Sequence, residues 1–258
     1  MKCKTLTALP IYNEEQHVGP VLGRVLRYSE NVLVVDDGST DRTPEVLRAL
    51  SGVRVVTHPE NRGYGGALRS AFAYAAENGY EVLVTIDCDG QHQPKRIPEF
   101  VEACRGVDVV SGSRYLQDFA GDSRPPEDRR RINRLITDEV NRLLGLNLTD
   151  AFCGFKAYRV AAIADLPLSE DGYAMPLEFW VRAAERRLRI VELPVPLIYL
   201  DEARSFGGSL DNAQSRLNVY RDVLRRSLEE SGYSAEPAPL CATDVFDCGP
   251  LRSDRQAT

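Results

Sequence analysis

The sequence predicts an α/β fold in which a mostly parallel central sheet is flanked by helices, with a smaller second subregion and a structureless C-terminal tail. Three observations carry this. Continuous apolar and β-branched runs at 6–9, 32–35, 53–56 and 82–86 alternate with stretches of helical periodicity, the βαβ pattern of strands buried on both faces. Three of those four runs empty into loops rich in Asp, Asn, Gly or Glu, which a parallel sheet gathers along one edge. From Gly232 onward all periodicity is lost, so one domain is expected over 1–231 and a disordered tail over 232–258.

The elements follow in order. Leu6–Leu9 reads as a short strand, and Asn13 is a candidate cap for the next helix, with Glu14 and Glu15 in its first turn. Val18, Val21, Leu22, Val25 and Leu26 give that helix its apolar face. The strand Val32–Val35 ends in Asp36-Asp37-Gly38-Ser39-Thr40-Asp41, and Val46, Leu47 and Leu50 mark the helix after it. Strand Val53–Val56 leads into His58-Pro59-Glu60-Asn61-Arg62-Gly63-Tyr64-Gly65-Gly66, whose glycines permit close packing at the start of the helix that Gly79 ends. The fourth strand breaks into Asp87-Cys88-Asp89-Gly90-Gln91-His92.

Further on, a helix carries Ile97, Phe100, Val101 and Cys104, and a strand at Val107–Ser111 ends in Gly112-Ser113-Arg114-Tyr115. Gln117–Glu127 reads as a loop. Asp128–Leu144 is a helix with Ile132, Leu135, Ile136, Val140, Leu143 and Leu144 on one face and Arg129, Arg130, Arg131, Arg134 and Arg142 crowding the other. Asp150–Arg159 is a strand or a loop closing the cleft. A helix carries Leu177, Glu178, Trp180, Val181, Ala184 and Leu188. Strands at Arg189–Leu193 and Val195–Leu200 are separated by Pro194, as near a sheet edge. The loop Asp201–Asp211 precedes a last helix, from about Asn212 to Glu230.

The 258 residues are 43% hydrophobic and 27% charged, enough for a large core under a charged surface. A net charge of −6 argues against general nucleic-acid binding. No apolar run approaches the roughly 20 residues that span a bilayer, and no secretory leader is read at the start, so a cytoplasmic protein with at most peripheral membrane contact is expected. Six cysteines without a CxxC pair suggest reduced thiols.

The chemistry concentrates in the loops. Asp87 and Asp89, one residue apart past a strand end, suit a hard divalent cation shared with substrate phosphates, and Gln91 adds a neutral oxygen. Taken alone, such a turn is common. His58 and His92 fit a turn or supporting role better than ligation, and Asp41 fits a helix N-terminus. Asp37 or Glu14 can accept from a base or ribose, with Tyr12 stacking. No GxxxxGK[ST] is present, which disfavours a P-loop ATPase.

Read in order, PIYNEE, VVDDGSTD, NRGYGGA, DCDGQH, SGSRY and DAFCGFKAYR resemble the family-2 glycosyltransferases of the GT-A fold, and among them the dolichyl- or polyprenyl-phosphate mannose and glucose synthases. The resemblance covers about Thr5–Tyr220. It implies a Rossmann-like nucleotide-sugar half over 1–113 and an acceptor half over 114–231. It also implies an inverting transfer of a hexose from a GDP- or UDP-sugar to a polyprenyl phosphate, with Mg²⁺ or Mn²⁺, beside a membrane surface or a membrane-anchoring partner. By position, Pro10, Tyr12, Glu14, Asp37, Arg62 and Asp87 would line the nucleotide-sugar site, and Asp87, Asp89 and Gln91 would serve the metal. Arg114 with one or two of Arg130, Arg131 and Arg134 would hold the acceptor phosphate. Arg204 would approach the donor phosphates and act with Asp87 and Asp89 in catalysis. The late loop departs from the family's Gly-x-Ser-Lys, reading Gly207-Gly208-Ser209-Leu210.

Two other readings stay open on the sequence. Transfer to a hydroxyl of a sugar or small molecule needs a carboxylate base, for which Asp150 and Glu178 are the candidates, although Glu178 reads better as an anchor for a loop or the arginines. A non-catalytic nucleotide-sugar-binding protein is less compatible with the intact Asp87, Asp89 and Gln91.

Overall fold

The computed structural model describes residues 3–123, 126–200 and 208–233. In chain order the regular elements are β1 (Thr5–Ile11), α1 (Val18–Val25), β2 (Val32–Asp36), α2 (Thr43–Ala49), β3 (Val53–Thr57), α3 (Tyr64–Glu77) and β4 (Val82–Thr85). Then come α4 (Ile97–Ala103), β5 (Val109–Ser113), α5 (Glu127–Leu144), β6 (Lys156–Arg159), the single turn α6 (Val160–Ile163), α7 (Met175–Glu185), β7 (Ile190–Pro194) and α8 (Ala213–Ser231). The strands form one seven-stranded sheet in the order β3-β2-β1-β4-β6-β5-β7. All neighbours are parallel except β6, which runs antiparallel between β4 and β5.

The apolar runs form strands because both faces of the sheet are covered. Leu6, Ala8, Leu33, Val35 and Leu83 point into one core with α3, α5, α7 and α8. Leu9, Ile11, Val32, Val34, Val82 and Val84 point into the other with α1, α2 and α4. Period-two alternation thus reads as an unbroken hydrophobic run. β3, at the edge, is less buried and carries Arg54.

Several expectations are corrected. Asn13 does not cap α1, which starts at Val18 without a side-chain cap, so Glu14 and Glu15 lie before its first turn. Asn13 instead takes a left-handed φ of 54°, and its Oδ1 accepts from the amides of Thr40 and Asp41, holding the turn after β2. Residues 195–200 are not a strand. After Val195 donates to the Ser113 carbonyl, Leu197 donates to Asp122 Oδ1 and Tyr199 to Ser123 Oγ. Side chains of a loop therefore take the place of a partner strand. Asn212 does cap α8, accepting from the Ser215 amide at 2.9 Å. Cys3, Cys88, Cys104 and Cys153 are free thiols. The tail from 234 lies outside the described residues.

The glycines at the start of α3 have a packing reason. The Gly65 and Gly66 amides donate to the Asp171 carbonyl at 2.7 and 3.2 Å, and a Cβ on Gly65 would collide with the Glu170 carbonyl. Gly65→Ala should therefore destabilise the protein by about 1–3 kcal/mol. Gly106→Ala, whose Cβ would meet nothing within 4 Å, should stay within about 0.5 kcal/mol. Urea unfolding of the two variants checks this, and equal midpoints would contradict it.

Candidate active site

The C-terminal ends of the parallel strands open into one cavity of about 560 Å³. Pro10 near the end of β1, Tyr12 and Glu14 after it, Asp37 after β2, and Asp87, Asp89 and Gln91 after β4 line it, with Arg114 after β5. Eight of the residues singled out in the sequence thus meet in one place.

Asp37 is held from three sides. Its Oδ1 accepts from His58 Nδ1 at 2.6 Å and from the Arg62 amide at 3.0 Å, and its Oδ2 accepts from the Gly63 amide at 2.7 Å. Arg62 therefore serves through its backbone, and its side chain is not part of the cavity lining. The α3 N-terminus offers no open phosphate cradle, because the Asp171 carbonyl already takes the Gly65 and Gly66 amides.

Asp87 forms the floor. Its Oδ1 accepts from the Tyr64 hydroxyl at 3.1 Å, and its Oδ2 bonds His92 Nε2 at 3.1 Å. Burial alone would raise this carboxyl, but the bond and charge of His92, then Tyr64 and Lys156, hold it below the usual carboxylate range. Gly154 packs directly on the carboxylate, where any Cβ would overlap it. Asp89 turns back on its own loop, Oδ1 accepting from the Gln91 amide at 2.9 Å.

These donors fit a divalent cation in a particular way. Two carboxylates and one amide, all oxygen donors, sit on one turn, and among the described residues no group of three or more His, Cys, Asp or Glu side chains forms a complete cage. Such a half-shell suits Mg²⁺ or Mn²⁺ that completes its coordination on substrate phosphates and water.

The far end is basic and aromatic. Arg114 makes a forked pair with the fully buried Asp150, Nε to Oδ2 at 2.7 Å and Nη2 to Oδ1 at 2.9 Å. Burial pushes the Asp150 carboxyl up, but Arg114, with Asn133, outweighs it and holds it at about 2. Glu178 is equally committed, accepting from the Ser169 amide and hydroxyl and from the Glu170 amide. Neither candidate base is available to deprotonate a substrate.

Arg130, Arg131 and Arg134 are exposed on the outer side of α5 and do not line the cavity. Arg204 lies outside the described residues. Arg129, Asn133, Arg216, Phe152, Tyr173, Tyr199 and Tyr220 do line it; of these only Arg129, within the basic run of α5, is marked by the sequence as a cation for the site. Helical spacing was the usable signal: Arg129 precedes the inward Ile132 by three residues, and Arg216 precedes the buried Tyr220 by four. Lys156, also unforeseen, is buried beside Asp87, with its ammonium on the Cys153 carbonyl.

Residues 7–166 match the family model described as glycosyl transferase family 2. The chain is 34% identical over 221 residues to an undecaprenyl-phosphate mannosyltransferase of Micrococcus luteus, covering 81% of this chain and 90% of that protein. It is 35% identical to a dolichyl-phosphate hexose transferase of Haloferax volcanii, covering 85% and 92%. With the polyprenol monophosphomannose synthase of Mycolicibacterium smegmatis it shares 32% identity over 74% and 76%. Among solved structures, glucosyl-3-phosphoglycerate synthase from Mycobacterium tuberculosis, in complex with Mn²⁺, uridine diphosphate and phosphoglyceric acid, shares the fold. Its TM-score is 0.65 at 19% identity, over 91% of this chain and 80% of that one.

The Asp150 pair predicts a pH dependence. A carboxyl lowered from 3.8 to about 2 on folding contributes stability that is present above pH ~4 and lost as pH falls toward ~2, on the order of 2 kcal/mol in all. In urea unfolding, the advantage of the native protein over Asp150→Asn should shrink by about 1 kcal/mol between pH 6 and pH 3. A gap that stays constant would contradict the assignment.

Proposed function

This chain belongs to glycosyl transferase family 2, and from that premise we propose that it transfers a hexose, mannose or glucose, from a GDP- or UDP-sugar to a polyprenyl phosphate with inversion at the anomeric carbon. The acceptor class follows the relatives, whose names specify undecaprenyl, dolichyl or polyprenol phosphate sugar transfer. The observation that carries the reading is the commitment of both candidate bases. Asp150 is neutralised by Arg114, and Glu178 is spent on the 169–170 turn. A hydroxyl acceptor needs a proton removed, whereas a phosphate oxygen is already a nucleophile.

In the proposed reaction an acceptor phosphate oxygen attacks the anomeric carbon from the side opposite the nucleoside diphosphate. The bond from that carbon to the diphosphate oxygen breaks, and its electron pair leaves with the diphosphate. No proton moves, so the protein's task is positioning and charge stabilisation. A Mg²⁺ or Mn²⁺ ion held by Asp87, Asp89 and Gln91 would supply neutralisation of the departing diphosphate.

Pro10, Tyr12, Glu14 and Asp37 would hold the nucleoside, assisted by the Arg62 backbone. Arg204 would add to the donor-phosphate contacts. Arg114, Arg129 and Arg216, beside Phe152, Tyr199 and Tyr220, make the end of the cleft suited to a phosphate with an apolar tail. The outward Arg130, Arg131 and Arg134 would meet the anionic surface that carries the acceptor. Among the described residues no helix is long and apolar enough to cross a membrane. The acceptor would accordingly be reached peripherally, at a cytoplasmic membrane face or through an anchoring partner.

The test is incubation with radiolabelled GDP- and UDP-hexoses, Mg²⁺ or Mn²⁺ and a short polyprenyl phosphate, with free sugars as competing acceptors. Label should enter the organic phase, and none should reach the sugars. Asp89→Ala should lower transfer at least 10²-fold while circular dichroism and melting stay native. Undiminished transfer in that variant, or in excess chelator, would overturn the assignment of Asp89, and label on free sugars would overturn the acceptor.

A further inference from the structure

Behind Asp37 lies a chain of side chains that the transfer chemistry does not use. His58 follows β3, which pairs β2 in register up to Asp36 and Thr57, so the residue after each strand end is brought alongside the other. His58 Nδ1 reaches Asp37 Oδ1 at 2.6 Å, and on the opposite side of the ring Nε2 meets the Ser70 hydroxyl of α3 at 2.8 Å. His58 is 6% exposed and Asp37 3%. Three elements, β2, β3 and α3, therefore converge on one Ser–His–Asp line, buried at His58 and Asp37 and half-buried at Ser70. No substrate-sized space adjoins Ser70 in the described cavities, whose linings omit both Ser70 and His58. The line ends at the cavity only through Asp37.

We propose that His58 and Ser70 are positioning residues for nucleotide recognition, which lock Asp37 so that one carboxylate lone pair, on Oδ2, is presented to the donor's base. The proposal rests on the reading of Asp37 as part of the nucleotide site. A carboxylate has about four acceptor positions. Oδ1 uses two, on His58 Nδ1 and the Arg62 amide, and Oδ2 uses one, on the Gly63 amide. What remains is a single acceptor position suited to a ring imino N–H, the group that uracil and guanine share. Adenine and cytosine present a ring nitrogen lone pair at the corresponding edge.

Since Asp37 accepts, Nδ1 carries a hydrogen, and Nε2 meets the Ser70 hydroxyl, which can donate or accept. Asp37 thus sets the Nδ1–H donor, and Ser70 holds the ring plane from the other side. Without Ser70 the imidazole can turn out of line with Asp37 Oδ1. Without His58, Oδ1 loses its shortest bond, and only the Arg62 and Gly63 amides restrain the carboxylate about its last side-chain torsion, which is soft. Misorientation weakens ground-state binding of the base and leaves the distant anomeric centre untouched, so donor affinity should fall while turnover at saturation does not.

The experiment measures Kd for GDP and for UDP by calorimetry with Mg²⁺ present, together with kcat at saturating donor and the melting temperature. The proteins are the native chain, His58→Ala, His58→Asn, Ser70→Ala, Asp37→Asn and the double variant Asp37→Asn/His58→Ala. Whichever of the two nucleotides the native chain binds should bind His58→Ala at least 10-fold more weakly, with kcat within about threefold. His58→Asn, whose side-chain amide can replace the Nδ1–H donor, should recover most of the loss. Ser70→Ala should show a smaller loss of the same kind. The double variant should bind no worse than Asp37→Asn, because His58 acts through Asp37.

Native-like affinity in His58→Ala, or additive losses in the double variant, would overturn the relay. If His58→Ala does not fold, His58→Asn and Ser70→Ala decide: a loss in Ser70→Ala with recovery in His58→Asn supports the relay, and native affinity in Ser70→Ala with none recovered in His58→Asn overturns it. A native chain that binds neither GDP nor UDP would overturn the nucleotide reading of the site, and the relay with it. Binding by the native chain with no effect of the variants overturns the relay alone.

Discussion

The arginine-lined end of the cleft depends on one buried carboxylate. Asp150, with no exposed surface, accepts from Arg114 through its amide, Nε and Nη2, from Asn133 Nδ2 of α5 at 3.0 Å and from the Phe152 amide at 3.1 Å. Glu192 of β7 grips the same turn from outside, taking the Thr149 amide and hydroxyl and the Asp150 amide. Removing one partner of such a buried pair costs about 3–5 kcal/mol, because the other charge is left unpaired. The node joins β5, α5, β7 and the 149–154 turn, and that turn sets Gly154 against the Asp87 carboxylate. The Asp87 floor and the Arg114 wall of the cleft are therefore fixed by the same interaction.

From that constraint follows a separation of charge along the cleft. Asp37, Asp87 and Asp89 stand at the strand ends of the parallel half, while Arg114, Arg129 and Arg216 come from the half added after β5. Arg216 is itself anchored, its guanidinium donating to the Leu210 carbonyl and to Asp128. Arg129 stands 5.6 Å over the Tyr199 ring. Cations held in place before substrate arrives need no reorganisation when negative charge enters.

The parallel half was legible because β1, β2 and β4 announce themselves by apolar runs buried on both faces, and the loops at their ends are rich in Asp, Asn, Gly or Glu. β6 was legible only as a strand or a loop within 150–159, because Lys156–Arg159 carry no distinctive pattern and their place between β4 and β5 is set by partners about 70 and 50 residues away in sequence. Residues 195–200 look like a strand in composition, but Asp122 and Ser123 bond them, a long-range fact that local sequence does not encode. Asn13 illustrates the same limit, since its preference for caps was correct and the turn it caps is 27 residues on. The arginines of α5 divide by helical period, which the sequence carries: Arg129, three residues before the buried Ile132, lines the cavity, whereas Arg130, Arg131 and Arg134 are exposed away from it.

The central claim is that the nucleophile arrives already ionised and the protein supplies no base. The dependence of kcat/KM on pH with a short polyprenyl phosphate tests it most directly, in the native chain and in Glu178→Gln side by side. Both should show one acid limb near pH 6, the second ionisation of a phosphate monoester, with the variant reduced only modestly. A limb that vanishes in Glu178→Gln, together with a 10²–10⁴-fold loss in a protein that still folds and binds donor, would show a carboxylate base at work and contradict the account.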